Sequence, residues 1–91
     1  MTGCDLPDDE LVRLVKEGRK PGFDALFGRY LAMVRGEASH YGLQATAGDV
    51  IQETFLRAYL NLGELRNPAR FASWLRAIAQ RVCTTELRTR R

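Results

Sequence analysis

Apolar positions recur at helical spacing along most of the chain, and one stretch carries them on two faces. In residues 49–62, DVIQETFLRAYLNL, a rotation of about 100° per residue gathers Ile51, Phe55, Ala58, Tyr59 and Leu62 into one wide stripe. The opposite side carries Asp49, Gln52, Glu53 and Arg57 around two leucines, Leu56 and Leu60, spaced i,i+4. The core of a small domain buries one such face. The other leaves a leucine pair rimmed by polar groups, the pattern of a protein-binding patch. The alternative is a chain that surrounds this helix on all sides, since single exposed leucines are ordinary.

The remaining periodicity predicts three more helices. The first spans 6–18, with Pro7 and Asp8 or Asp9 at its start, Leu11, Leu14 and Val15 as its buried stripe and Gly18 as its stop. Pro21-Gly22 marks a turn over 19–22. A second helix covers 23–41, where Phe23, Leu26, Phe27, Tyr30, Val34, Ala38 and Tyr41 share a face and Gly42 ends the run. Gly36 inside it costs about 1 kcal/mol relative to alanine, so packing compensates or a neighbouring backbone comes close. Residues 43–46 form a loop. Thr46, three positions before Asp49, gives a capping-box-like start to the two-faced helix, which extends about 16 residues or roughly 24 Å. Asp49 lies at the positive end of its dipole. Gly63, Asn67 and Pro68 break the pattern over 63–69, and 70–88 is helical again, with Phe71, Trp74, Leu75, Ile78, Ala79 and Val82 on one side. Four helices, short connections and no alternating run predict an all-α compact bundle in a single domain.

Charge is divided unevenly. Residues 1–65 hold seven basic and ten acidic side chains, a balance of −3, whereas 66–91 hold seven arginines against Glu86 alone, a balance of +6. A cationic last helix on a mildly acidic body points to a polyanion at one end and a different partner at the other; the alternative is a solvated helix face with a frayed tail. Arg70, Arg81 and Arg88 fall within about 20° of one another on the helical wheel, with Ala77 between them and Trp74 at the border of the apolar stripe. Guanidinium groups in line beside an aromatic edge can hold a phosphate backbone and stack a base, as single-stranded nucleic acid requires. Arg66 and Asn67, just upstream, add a charge and an amide able to read a base edge. Plain core packing remains the other reading of Trp74, and the two are compatible.

No enzyme emerges. The chain has no Gly-rich phosphate loop, no Cys/His cluster and no supported Ser/His/Asp set, so no cofactor or metal is expected. His40 stands alone and reads as a terminal polar residue. Cys4 and Cys83, near opposite ends, predict a mobile thiol and a packed one rather than a disulfide, with a reducing cytoplasm as the compartment. The acidic N-terminus is no signal peptide, and no apolar run approaches the roughly 20 residues of a membrane span.

These residues resemble a known family. Ala47-Gly48-Asp49-Val50-Ile51-Gln52-Glu53-Thr54-Phe55-Leu56-Arg57-Ala58 is similar to the A-E-D-V-x-Q-E-x-F-x-[RK]-A signature of region 2 in bacterial sigma factors of the extracytoplasmic-function type. Phe71-Ala72-Ser73-Trp74-Leu75-Arg76-Ala77-Ile78-Ala79 resembles the F-x-x-W-L-x-x-I-A signature that follows it. Glu10-Leu11-Val12 and Ala25-Leu26-Phe27-Gly28-Arg29-Tyr30 fit the opening helices. The resemblance implies a helical domain that binds the clamp helices of the largest catalytic RNA polymerase subunit and melts and captures the minus-ten promoter element as single-stranded DNA. By position, polymerase binding falls on Asp49, Gln52, Glu53, Leu56 and Arg57, the second face described above, to which Leu60 belongs. The promoter role falls on the 65–70 loop, which in this family pockets a flipped-out base of the non-template strand, and on the last helix from Phe71 through Arg88. Gly48 stands where the family usually has an acid, Arg81 where an asparagine is common and Thr85 where an aspartate is common. Base preference therefore does not transfer.

The family's helix-turn-helix for the minus-thirty-five element is absent from this chain, which suggests a domain of a longer sigma factor; a natural one-domain protein that occupies polymerase without directing it is the alternative. Such factors commonly have an anti-sigma partner, which would cover the same Leu56/Leu60 face. The rival from another class is a helical protein-interaction module or polymerase decoy whose arginines only solubilise it. A duplex-reading repressor is disfavoured, because no helix-turn-helix with a polar recognition helix is found.

Overall fold

A computed structural model describes residues 6–89. Four helices carry the architecture: α1 (Asp8–Lys16), α2 (Lys20–His40), α3 (Ala47–Leu60) and α4 (Phe71–Thr89). Single 3-10 turns at Gln44–Thr46, Leu62–Glu64 and Pro68–Arg70 fill the connections, and no strand occurs among the described residues. The fold is the expected all-α bundle. No helix among them is long and apolar enough to cross a membrane. Cys4 lies outside the described residues, as do Arg90 and Arg91 of the arginine tail.

The helix ends follow local chemistry, with several departures from expectation. Gly18 and Gly42 take φ of +83° and +73°, so each terminates its helix in the left-handed conformation that glycine adopts without strain. Helix α2 begins earlier than the sequence predicts, because Pro21 sits in its first turn, where a missing N–H costs nothing. Pro21-Gly22 is thus the start of a helix and not a turn. Gly22 is also where a neighbouring backbone comes close. A Cβ there would lie 3.0 Å from both the Leu11 carbonyl oxygen and the Leu14 Cβ, whereas nothing lies within 4 Å of one placed at Gly36. The close approach that Gly36 suggested therefore occurs at the α1–α2 crossing. Thr46 precedes α3 without a side-chain capping bond, so the capping box is not formed. Asp49 does occupy the first turn of α3.

Helix α3 packs against both α2 and α4 and presents a wider buried arc than its stripe predicts: Val50, Ile51, Thr54, Phe55 and Ala58. Leu62 is buried as expected, in the following 3-10 turn. Tyr59 is not; it stays 55% exposed. The main core joins Leu11, Val12 and Val15 of α1 to Leu26 and Val34 of α2, Ile51 and Phe55 of α3, and Phe71, Leu75 and Ala79 of α4. Leu62 and Leu65, from the connection between α3 and α4, complete it. A smaller cluster, Ala38, Leu43, Val50, Val82 and Cys83, closes the far end. Cys83 is packed as expected, and burial pushes its thiol pKa up, with Glu37 adding to the effect. Leu14 is only half-buried, its expected place being taken by Val12.

Polar ties cross between elements. Asp8 accepts from Arg29 at 2.7 Å and from the Tyr30 hydroxyl, joining the start of α1 to α2. Burial, then the hydrogen bond to Asp8, pushes the Tyr30 phenol up to about 12, so it remains a donor throughout the neutral range. Lys16 Nζ donates to the Leu65 carbonyl at 2.9 Å. Arg76 pairs with Glu37 at 3.5 Å, linking α4 to α2.

Two stability outcomes follow from this packing. Gly36→Ala gains helix propensity with no steric cost and raises unfolding free energy by about 1 kcal/mol, while Gly22→Ala forces α1 and α2 apart and lowers it by about 1–2 kcal/mol. Urea titration checks both, and a gain at Gly22 would contradict the close approach. The Thr54 hydroxyl is buried without a hydrogen-bond partner. Thr54→Val keeps the shape, removes that unpaired group and raises stability by about 1 kcal/mol in the same titration; a loss would mean the hydroxyl is satisfied.

Candidate functional site

The outward side of α3 is set by what its inward side must bury. With Val50, Ile51, Thr54, Phe55 and Ala58 turned to the core, the 3.6-residue repeat places Asp49, Gln52, Leu56 and Leu60 on the outside, and all four are exposed. Leu56 is 50% and Leu60 69% exposed. Glu53 and Arg57 flank them half-buried and pair with each other at 2.6 Å, one helical turn apart. The six residues expected on this face are thus brought together around the leucine pair.

One edge of the face continues into a groove of about 740 Å³ between α3 and the start of α2. Its apolar lining comes from Phe23 and Phe27 on α2 and Ile51, Phe55, Leu56 and Tyr59 on α3, with Arg19 and Lys20 near the α1–α2 corner. Edge-to-face ring contacts shape it, Phe27 to Phe55 at 4.6 Å and Phe23 to Tyr59 at 5.2 Å. Gln52, Leu56 and Tyr59 therefore belong both to the exposed face and to the groove wall. Sequence reasoning placed Tyr59 in the core. Its angular position, at the margin between stripe and face, was the available signal.

The other edge meets α4. A polar cleft of about 250 Å³ brings Asp49, Glu53 and Arg57 against Thr85, Glu86 and Thr89. Thr85, one of the departures from the family pattern, thus lies beside the α3 face.

The cationic residues lie on α4 and the connection before it. Arg66, Asn67 and Arg70 are exposed on the connection before α4, and Ala77, Arg81 and Arg88 are exposed along α4. Arg70 is the last residue of a 3-10 turn that leads straight into α4, not the first residue of the helix. Among the described residues, Arg66, Arg70, Arg81 and Arg88 form no ion pair, in contrast to Arg13, Arg29, Arg57 and Arg76. The Asn67 carboxamide oxygen accepts from the Ala69 N–H at 3.1 Å and so orders the turn around Pro68, which leaves the amide NH₂ as the group able to meet a base.

Phe71 requires a correction. It was expected on the strand-binding surface, but it is 2% exposed, packed between Tyr30 at 5.6 Å and Trp74 at 5.9 Å, and cannot reach a ligand. Trp74 is half-buried, packed against the main core and tilted 46° against Phe71. Core packing is therefore present at Trp74. His40 is exposed at the end of α2, with Tyr41 edge-on to it at 5.4 Å.

Comparison with known proteins identifies the family. The family model for Sigma-70 region 2 matches residues 26–91. The chain is 36% identical over 74 residues to the ECF RNA polymerase sigma-E factors of Haemophilus influenzae and of Escherichia coli strain K12, and equally to that of Salmonella typhimurium strain LT2. Each match covers 81% of this chain and 39% of the relative, so the chain spans about two fifths of the length of these curated relatives. No solved structure gives a significant match. From its two signatures, its helical architecture and these matches, the chain belongs to the Sigma-70 region 2 family and is of the ECF sigma factor type.

Proposed function

We propose that this chain is a transcription initiation module with two binding surfaces. The α3 face, with Asp49, Gln52, Glu53, Leu56, Arg57 and Leu60, docks on the clamp helices of the largest catalytic RNA polymerase subunit. The connection carrying Arg66, Asn67 and Arg70, together with Trp74, Ala77, Arg81 and Arg88 on α4, holds the non-template strand of an opened minus-ten element. The carrying observation is the exposure of Leu56 and Leu60 on a helix whose opposite side is fully buried. A coiled coil offers apolar side chains in register to cover such a pair, and the polar rim of Asp49, Gln52 and the Glu53–Arg57 pair sets orientation. The groove beside Leu56 extends the apolar area a partner can cover. For the strand, unpaired guanidinium groups contact phosphates without first breaking an ion pair, and the edge of Trp74 offers a stacking surface. Flipping a base costs a few kcal/mol, which these contacts together must offset.

Leu56→Asp places a charge in the centre of the docking face, outside the core. It abolishes binding to an isolated clamp-helix fragment, measured by titration calorimetry, and leaves the urea midpoint within error; unchanged binding would remove α3 from the interface. Arg81→Ala weakens binding to single-stranded DNA and flattens the salt dependence by about 0.7 log units per log unit of salt, the share of one phosphate. An unaltered slope would exclude Arg81 from the backbone contacts. Salt-insensitive binding by the wild type would favour the pure protein-interaction module.

A further inference from the structure

Helix α1 lies outside residues 26–91, the part matched by the family model, and of its residues only Val15, in the groove wall beside α3, touches either proposed surface. Its packing gives it a task. It lies directly against both 3-10 turns of the connection between α3 and α4. Its buried face, Leu11, Val12 and Val15, shares one core with Leu62 and Leu65, the two apolar anchors of that connection. At its C-terminal end Lys16 Nζ donates to the Leu65 carbonyl at 2.9 Å, across 49 positions of sequence. At its N-terminal end Asp8 holds the Tyr30 hydroxyl, the Tyr30 ring packs on Phe71, and Phe71 packs on Trp74. Both ends of α1 therefore lead to the strand-binding surface, one to the start of its loop and one to its aromatic.

The connection needs such support. Single 3-10 turns have few internal hydrogen bonds, and a loop that must pocket a base binds more tightly when its shape is fixed beforehand. We infer that α1 is the platform that presets the 65–70 loop for the DNA strand, with Lys16 as its positioning residue. The inference rests on the strand-binding reading above and adds to it an element outside the family match. Lys16 acts through Leu65, not on the DNA. Its neighbour Arg13 pairs within the helix to Glu10 and Glu17, and so supplies a control on the same helix.

The test compares wild type, Lys16→Met, Lys16→Arg and Arg13→Ala in two measurements. The first is amide hydrogen exchange across 65–70. The second is affinity for a labelled single-stranded DNA of about twelve nucleotides at several salt concentrations. In Lys16→Met the loop amides exchange faster and affinity falls roughly tenfold, as expected for one lost charge-assisted hydrogen bond, while the salt slope stays at the wild-type value. Lys16→Arg restores both readouts, and Arg13→Ala matches wild type. Unchanged exchange in Lys16→Met overturns the positioning role. An affinity loss with a lower slope also overturns it, because Lys16 would then be a phosphate contact in its own right. No binding by the wild type removes the strand-binding reading and this inference with it, whereas loss of the loop effect alone removes only the inference.

Discussion

The structure depends on the packing of α3 between α2 and α4. A chain of this length builds one modest core, and that core can enclose only one side of its central helix. Val50, Ile51, Thr54, Phe55 and Ala58 take that side, which forces the i,i+4 leucines outward. Covering a leucine is worth about 1.5–3 kcal/mol, so Leu56, Leu60 and the half-open Tyr59 hold back apolar area that the fold does not use. Association can draw on it after meeting its own entropic and desolvation costs. The aromatic groove formed with Phe23 and Phe27 enlarges that reserve on one flank, and the cleft toward Thr85 bounds it on the other.

Electrostatics divide the molecule along the same lines. Arg13, Lys20, Arg29 and Arg57 on the first three helices, and Arg76 on α4, each have a carboxylate partner, whereas Arg19 and Arg35 form no ion pair among the described residues. Around the start and along the outside of α4, Arg66, Arg70, Arg81 and Arg88 have none among the described residues, so their charge stays available to a polyanion. The aromatic chain Tyr30–Phe71–Trp74 runs from the core to that surface and fixes the indole from behind. The cationic surface thus rests on the same core that displays the leucines.

Much of this was legible in the sequence, and the misses share a cause. Helical periodicity located four helices, the second face of α3 and the stripe of α4, because each is a property of one element alone. What it could not supply was contact between elements. Gly36 and Gly22 look alike in sequence, and only the crossing of α1 over α2 makes Gly22 the crowded one. Pro21 serves equally as a turn residue and as the opening of a helix. Phe71 was assigned both to the core and to the ligand surface, and only its packing on Tyr30 resolves the choice. Leu43 and Leu65 sit in connections with no periodicity, yet both are buried. The tie between Lys16 and Leu65 spans too much sequence for any local pattern to reveal.

We propose that the open side of α3 meets RNA polymerase. The most direct test is residue-level mapping: isotope-labelled domain titrated with an unlabelled clamp-helix fragment, followed through the backbone amide resonances. Docking through α3 predicts perturbations concentrated on Asp49, Gln52, Leu56, Tyr59 and Leu60 and reaching Phe23 in the groove, with Arg81 and the 65–70 loop unmoved. Perturbations centred on α4, or none on α3 at saturating fragment, would contradict it.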